Sequence, residues 1–172
     1  LGVSDALRVR CMHFVKNVVM CNSYKATETN LNTFTPAAQK AIRSMAIQVK
    51  PVLSEFWQRD GRMQVMATAL VRLYLPLTVS ELREWHDNPE GFVADNDSGA
   101  WEEQLRGTAL TLLLAFLEVN REPLAPAILK MLHAADAACP AGEVAGLVAV
   151  GGSEVCGVPY SVLLKEAVYN AV

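Results

Sequence analysis

Seven acidic side chains lie between residues 84 and 103, and no lysine or arginine interrupts them. Like charges at this density repel one another, which lowers stability unless a cation or a basic partner relieves the repulsion. A charge run is also common on solvated loops, so the residues alone leave both interpretations open. Calcium is a weaker alternative, because residues 95–97 lack the ligand pattern and terminal glutamate of a calcium loop. The seven residues are Glu84, Asp87, Glu90, Asp95, Asp97, Glu102 and Glu103.

Other residue types that could perform chemistry are poorly spaced for it. His13, His86 and His133 are far apart, and none has a second pair of ligands at zinc-binding spacing. Ser153 follows two glycines, but the spacing matches no phosphate-binding or nucleophile motif. The adjacent glutamates at 102–103 would project in different directions from a helix, which makes them a poor acid–base pair. We therefore expect no catalysis, no metal ion and no cofactor.

Charge divides unevenly along the chain. Residues 1–80 hold ten basic and four acidic side chains, whereas residues 81–172 hold five basic and fourteen acidic ones. The two halves are therefore expected to face different partners. The basic residues lie mostly on solvated sides of predicted helices, with no interleaved aromatic residues to stack on bases, so we expect no nucleic-acid partner. They include Arg8, Arg10, Lys16, Lys40, Arg43 and Lys50.

A short helix is predicted to carry the beginning of the acidic segment. Thr78 and Glu81 form a capping box, in which each side chain satisfies a backbone donor at a helix start. Asn88-Pro89 ends the helix about two turns later, because proline disfavours helical dihedrals in the residue before it. Trp85 thus lies on a short helix that runs into an acidic, proline-containing turn.

Apolar residues at intervals of three and four predict the helices that position this segment. Pro51 should kink or split the second of them, and loops are expected at 23–35, 86–98 and 139–158. Leu7, Cys11 and Phe14 contribute to the inward face of the first helix. The longer helices are predicted at 5–22, 36–59, 63–77, 99–120, 124–138 and 159–172. The helix at 99–120 is apolar nearly all round, so it is expected to be buried between neighbouring helices. After a connector at 121–126, the helix at 124–138 is predicted to be its antiparallel partner.

The inward face of the second helix is expected to include Met45, Val52 and Phe56, because they share its apolar stripe. Met45 is also grouped with Met63, Met66 and Met131 as core packing.

The class is all-α, as one block of about three HEAT-type helix pairs over residues 1–172. A closed helical bundle remains open on periodicity alone. Membrane insertion is not expected, because the longest apolar run, at 108–119, is shorter than the ~20 residues of a spanning helix. The four cysteines show no C-x-x-C spacing, which favours a reducing compartment. The chain starts at Leu1 without a methionine, which suggests a fragment of a longer protein.

The stretch at 77–93 resembles a segment of importin-β (karyopherin-β) superfamily transport receptors. Its pattern is Leu77-Thr78-x-x-Glu81-Leu82-x-x-Trp85-x-Asp87-x-Pro89-Glu90-x-Phe92-Val93. Three later motifs are similar in the same order, and together they agree best with the importin-eleven type. His86 and Asn88 depart from the pattern, and residues 1–69 match only as amphipathic helices. The later motifs are Trp101-x-x-x-Leu105-Arg106, Leu124-x-Pro126-x-x-Leu129-x-Met131 and the closing segment 164–172.

This resemblance implies a central piece of a HEAT or armadillo-like superhelix. Such a receptor carries protein cargo, contacts nuclear pore proteins, responds to the small GTPase Ran in its GTP form, and shuttles between cytoplasm and nucleus. The alternative is an α-solenoid scaffold or adaptor unrelated to Ran. By analogy, the partner-facing residues are Glu84, Asp87, Glu90, Asp95 and Asp97. The residues expected to position the turn are Thr78, Glu81, Trp85, Pro89 and Phe92.

Overall fold

The structure, a computed structural model, describes residues 4–21, 32–97, 104–139, 158 and 160–171. No strand occurs in this part of the chain, and the all-α prediction is confirmed. Most of the loops predicted at 23–35 and 139–158 lies outside the described residues. The helices are α1 (Asp5–Val19), α2 (Pro36–Gln58), α3 (Arg62–Ala69), α4 (Val79–Asp87), α5 (Pro89–Asp97), α6 (Leu105–Ala138) and α7 (Tyr160–Asn170).

The second helix, α2, is continuous through its internal proline. The Thr35 side chain accepts a hydrogen bond from the Ala38 amide at 3.4 Å, and Pro36 occupies the first helical position. The sequence predicts that Pro51 kinks or splits this helix, but the helix is not split. A proline removes one backbone donor, and the hydrogen bonds of the other turns remain. The helix ends as predicted at 60–61, where Asp60 and Gly61 both adopt positive φ, at 55° and 64°.

The third helix is extended by a wider turn. After α3, residues Leu70–Tyr74 form a π-helical turn, and the Leu75 amide donates to the Leu70 carbonyl at 3.1 Å. Leu75 and Leu77, which follow this turn, are buried. The helix predicted at 63–77 is therefore shorter than expected, and its last residues enter the core as non-helical chain.

The long helix α6 is broken at one residue. Asn120 has φ −140° and ψ 45°, which divides α6 into a first arm at 105–119 and a second arm at 121–138. The connector predicted at 121–126 is thus reduced to this residue, because Pro123 falls in the first turn of the second arm, where its missing donor is not needed. The first arm begins after Gln104 instead of at the predicted cap near residue 98.

The two arms run back against each other. A straight helix of this length would be about 50 Å long. Nevertheless, both ends of α6 lie against α7. Glu166 of α7 pairs with Arg106 near the start of α6, and the neighbouring Lys165 donates to the Cys139 carbonyl, just beyond the end of α6, at 2.9 Å. The arms therefore form a helical hairpin, as the sequence predicts, and α7 packs across its open end.

The core is built around this hairpin. Its first arm is buried on most sides, as predicted, and Phe116, Leu112 and Leu113 are at most 2% exposed. No single helix in the described part of the chain is long and apolar enough to cross a membrane, although one pair bent by 45°, Pro36–Tyr74 with Val79–Asp87, has the length and composition of a broken span. Other core residues include Met12, Met63, Ala67, Leu70, Val71, Leu124, Ile128, Ala135, Ala167 and Val168.

In α1, the predicted inward face is partly wrong. Leu7 and Phe14 are 51% and 69% exposed, Cys11 is also exposed, and Met12 is the buried residue instead. The α1 helix carries apolar residues on more than one side, and the hairpin covers the side that contains Met12 and Val15.

In α2, the centre of the predicted stripe is exposed. Met45, Val52 and Phe56 are 64%, 65% and 48% exposed, whereas Ala46 is buried. The edge of the stripe that contains Ala46 and Trp57 faces the core, because Trp57 packs against the hairpin. Met45 therefore does not belong to the core as predicted; of the other three predicted core methionines, Met63 is buried while Met66 and Met131 pack against the core.

Candidate functional site

The predicted capping box is present at the start of α4. The Thr78 hydroxyl accepts from the Glu81 amide at 3.3 Å, and the Glu81 carboxylate accepts from the Thr78 amide at 2.7 Å. Both side chains satisfy amides that have no partner inside the helix. The helix lasts nine residues and ends before Asn88, as the sequence predicts. Leu82 on its inner side is buried and anchors it.

The acidic turn after α4 is a second helix, so the loop predicted at 86–98 is wrong. Asn88 is its N-cap: its side-chain carbonyl accepts from the Gly91 amide at 3.1 Å, and its backbone carbonyl accepts from the Phe92 amide at 3.0 Å. Pro89 takes the first helical position, where it is well tolerated. The triplet of asparagine, proline and glutamate at 88–90 is itself a helix-start signal that could have predicted α5.

Gly91 makes this cap possible. A β-carbon at residue 91 would lie 2.1 Å from the Asn88 side-chain nitrogen. Any larger residue would therefore displace the capping side chain. Asn88, which departs from the family pattern, thus has a specific structural role in joining α4 to α5.

Two aromatic rings lie across the junction of the helices. Trp85 on α4 and Phe92 on α5 are stacked, with ring centroids 6.4 Å apart and an angle of 28° between the planes. Trp85 is 51% exposed, and Phe92 is half-buried. The ring pair restrains the two helices relative to each other, because it bridges them beside the junction at Asn88 and Pro89. We name this unit, residues 78–97, the acidic corner.

Three predicted partner-facing residues lie at the surface of the acidic corner. Glu84, Asp87 and Glu90 are exposed, and the ion pairs found in the described part of the chain include none of them. Asp95 and Asp97 lie in the last turns of α5, and the structure describes their backbone alone. Glu84, Asp87 and Glu90 therefore place three negative charges around one exposed helix junction.

A small cavity lies beneath the acidic corner. It measures about 280 Å³ and is lined in part by Phe92, Leu75, Arg106 and Glu166. The Arg106 Nε donates to the Leu75 carbonyl at 2.8 Å, and its guanidinium also pairs with Glu166. One Glu166 oxygen is buried without a partner among the described residues. Arg106 thereby fixes the segment before α4 onto the hairpin and α7.

Sequence reasoning did not assign roles to Arg106 and Glu166. Both residues lie within segments that resemble the importin-β family, at 101–106 and 164–172. The available signal was a charged residue on an otherwise apolar stretch, since such a residue is rarely buried unless it is paired. The partner could not be deduced, because the two residues are sixty positions apart.

A second polar contact joins α7 to the end of the hairpin. The Lys165 ammonium lies 3.0 Å from Asp136, and the Tyr169 hydroxyl donates to the same carboxylate at 3.2 Å. The hydrogen bond from Lys165 lowers the pKa of Asp136, and the same bond raises the pKa of Lys165. The Lys165 and Asp136 side chains are 22% and 40% exposed, and their contact fastens α7 to the end of the hairpin.

No group of three metal-binding side chains lies together among the described residues. His13 is on α1, His86 is near the end of α4, and His133 is on the second arm of α6. The three histidines thus lie on three different helices. Ser153 and the glutamates at 102–103 lie outside the described residues.

The chain is similar to two curated proteins named importin-11. The mouse and human proteins are each 28% identical to it over 166 residues, which cover 95% of this chain. The predicted resemblance to the importin-β family is confirmed. The similarity covers more than the motifs in the second half of the chain, and it therefore includes much of the helical region before residue 70.

The chain spans 14% of the length of these importin-11 relatives. No family model matches it, and no solved structure matches it. The all-α fold and the importin similarity together fit a HEAT-like solenoid. The hairpin of α6 is a pair of antiparallel helices of the kind that such solenoids stack.

Proposed function

We propose that the chain is part of a nucleocytoplasmic transport receptor that binds protein cargo and responds to Ran in its GTP form. The observation that carries this proposal is the similarity to importin-11 across 95% of the chain. The receptor would also contact nuclear pore proteins and would shuttle between cytoplasm and nucleus. It would act by reversible protein binding, with no catalytic step.

The chain would form one block of about three HEAT-type helix pairs, with the hairpin as one of them. Each pair in such an array buries apolar surface against its neighbours. The exposed apolar faces of α1 and α2 are consistent with this arrangement, since 69% of Phe14 and 65% of Val52 remain uncovered.

The acidic corner would contact a basic surface of Ran or of cargo. Glu84, Asp87 and Glu90 are exposed around one helix junction, and Asp95 and Asp97 follow on α5. The capping box and the stacked rings would hold this junction in one geometry, so that little ordering would be needed on binding. Exposed charges of this kind contribute mostly to specificity and association rate.

The test is binding of Ran-GTP and of a basic cargo protein to the intact receptor that contains this chain. Substitution Asp87→Lys together with Glu90→Lys should weaken one of these interactions roughly ten-fold, because each exposed ion pair contributes about 0.2–1 kcal/mol and reversal adds repulsion. Adding Asp95→Lys and Asp97→Lys should weaken it further. Raising the salt concentration should also weaken it, because exposed charges are screened within about 10 Å at 0.1 M.

A matched control reverses two exposed acids far from the acidic corner, Glu118→Lys with Glu122→Lys. This variant has the same net charge change and should bind as the unmodified receptor does. If both pairs of substitutions have the same effect, the acidic corner is not the contact. If the intact receptor binds neither Ran-GTP nor basic cargo, an α-solenoid scaffold unrelated to Ran accounts better for the fold.

A further inference from the structure

One face of α2 carries only positive charge. Lys40, Arg43, Ile47 and Lys50 are spaced by three, four and three residues, which places them on one side of a helix. All four are exposed, and Ile47 is 74% exposed. No acidic residue occurs in α2 before Glu55, and that carboxylate is paired with Arg59 at 2.6 Å.

An apolar groove of about 590 Å³ lies beside this face. Ile47 and Lys50 belong to both the basic face and the groove wall, so the two features are continuous. The described residues that line the groove include no aspartate or glutamate. Its apolar lining comes from the end of α1, from α2, from the start of α3 and from the break in α6, and includes Val18, Val19, Leu53, Trp57, Met63 and Val119.

We infer that this basic groove binds an acidic amphipathic segment of a partner protein. The apolar side of such a segment would fill the groove, and its acidic residues would face Lys40, Arg43 and Lys50. This is the helix-in-groove mode of recognition, with charge complementarity setting orientation. The inference does not depend on the acidic corner, because the two surfaces have opposite charge and would select different partners.

A nucleic acid fits this surface less well. Single strands bind by stacking bases on exposed aromatic rings beside the cations. Trp57, the aromatic residue in the groove, is half-buried and packs against Phe56 and Phe116, with ring centroids 4.9 and 5.9 Å away. Phe56 lies on another side of α2, and the Arg62 guanidinium lies over its ring, 4.9 Å from the centroid. The groove thus offers an apolar floor and no stacking platform.

The test is fluorescence anisotropy with the 172-residue chain and a synthetic amphipathic peptide of about five helical turns. The probe has leucine on one side and glutamate along the flanks, and a second peptide carries lysine in place of glutamate. We expect the acidic peptide to bind and the basic one to fail. Lys40→Glu, Arg43→Glu and Lys50→Glu together should weaken binding at least about ten-fold, because each lost exposed pair costs up to about five-fold.

The matched control reverses three exposed basic residues elsewhere, Arg10→Glu, Arg83→Glu and Lys130→Glu, and should retain the affinity of the unmodified chain. Substitution Ile47→Asp alone should also weaken binding of the acidic peptide, since it places a like charge in the groove wall. Circular dichroism melting of each variant confirms that it remains folded, which exposed positions should allow.

Four outcomes would overturn the inference. Equal loss of affinity in both triple variants would indicate a general charge effect. Binding of a single-stranded DNA oligonucleotide through the same three residues, without binding of the acidic peptide, would assign the face to nucleic acid. Peptide binding only after residues 22–31 are replaced by a Gly-Ser linker would assign the groove to that segment. A dimer that is lost in the Lys40, Arg43 and Lys50 variant would assign it to a second copy.

Discussion

The hairpin helix α6 and the helix α2 are both long and apolar, yet they differ in how much of their surface the chain covers. Ten of the 34 residues of α6 are buried, whereas only Ala46 is buried among the 23 residues of α2. The hairpin contacts α1, α3 and α7, while α2 meets the core along one edge. Apolar residues at helical spacing therefore predict that a helix has a face to bury. They do not show whether the surface that covers this face belongs to the same chain.

The largest expected effect contrasts one phenylalanine in each region. Phe116 in the hairpin is fully buried, and Phe56 on α2 is 48% exposed. Phe116→Ala should reduce the free energy of unfolding by about 3–5 kcal/mol, because it removes a buried ring and leaves a cavity. Phe56→Ala, the same substitution, should cost less than about 1 kcal/mol, because surface changes are usually small. Urea denaturation followed by circular dichroism measures both.

Comparable losses from the two phenylalanine substitutions would mean that α2 is as much a part of the core as the hairpin is. A large loss from Phe56→Ala alone would reverse the comparison between the two helices.

The hairpin was predictable from the sequence because its first arm is apolar nearly all round. Such a pattern predicts a helix that is buried between neighbours, and Leu112, Leu113 and Phe116 are buried as predicted. In α1 and α2, by contrast, the chain buries one side of the helix only. Phe14 and Val52 lie on the stripes that periodicity favours, but the hairpin covers neighbouring sides that contain Met12 and Ala46. Which side is covered depends on contacts between residues far apart in the sequence.

At the acidic corner, local chemistry was predictable and its continuation was not. Thr78 and Glu81 lie three residues apart, so the capping box could be read directly. A proline after Asn88 predicts the end of helical structure, although the same pair starts a new helix. The bond from Arg106 to the Leu75 carbonyl had no local signal, because thirty-one residues separate the two groups.

A smaller effect is expected where an arginine fastens the hairpin. Arg106→Met should cost about 1–3 kcal/mol, because it leaves the Leu75 carbonyl and the partly buried Glu166 carboxylate without this donor. The matched control Arg59→Met removes an exposed pair with Glu55 on α2 and should cost less than about 0.5 kcal/mol. The same urea titrations measure both. Equal costs would show that Arg106 is no more structural than a surface arginine, and that the hairpin is fastened by apolar packing alone.

Hydrogen exchange measured by mass spectrometry compares the two helices most directly in the unmodified chain. Amides in the two arms of α6 should exchange slowest, because they open only when the core unfolds. Amides of α2 should exchange much faster, since one edge alone holds that helix against the core. If the amides of α2 were protected as strongly as those of the hairpin, the core would hold α2 by more than one edge, and the comparison between the two helices would fail.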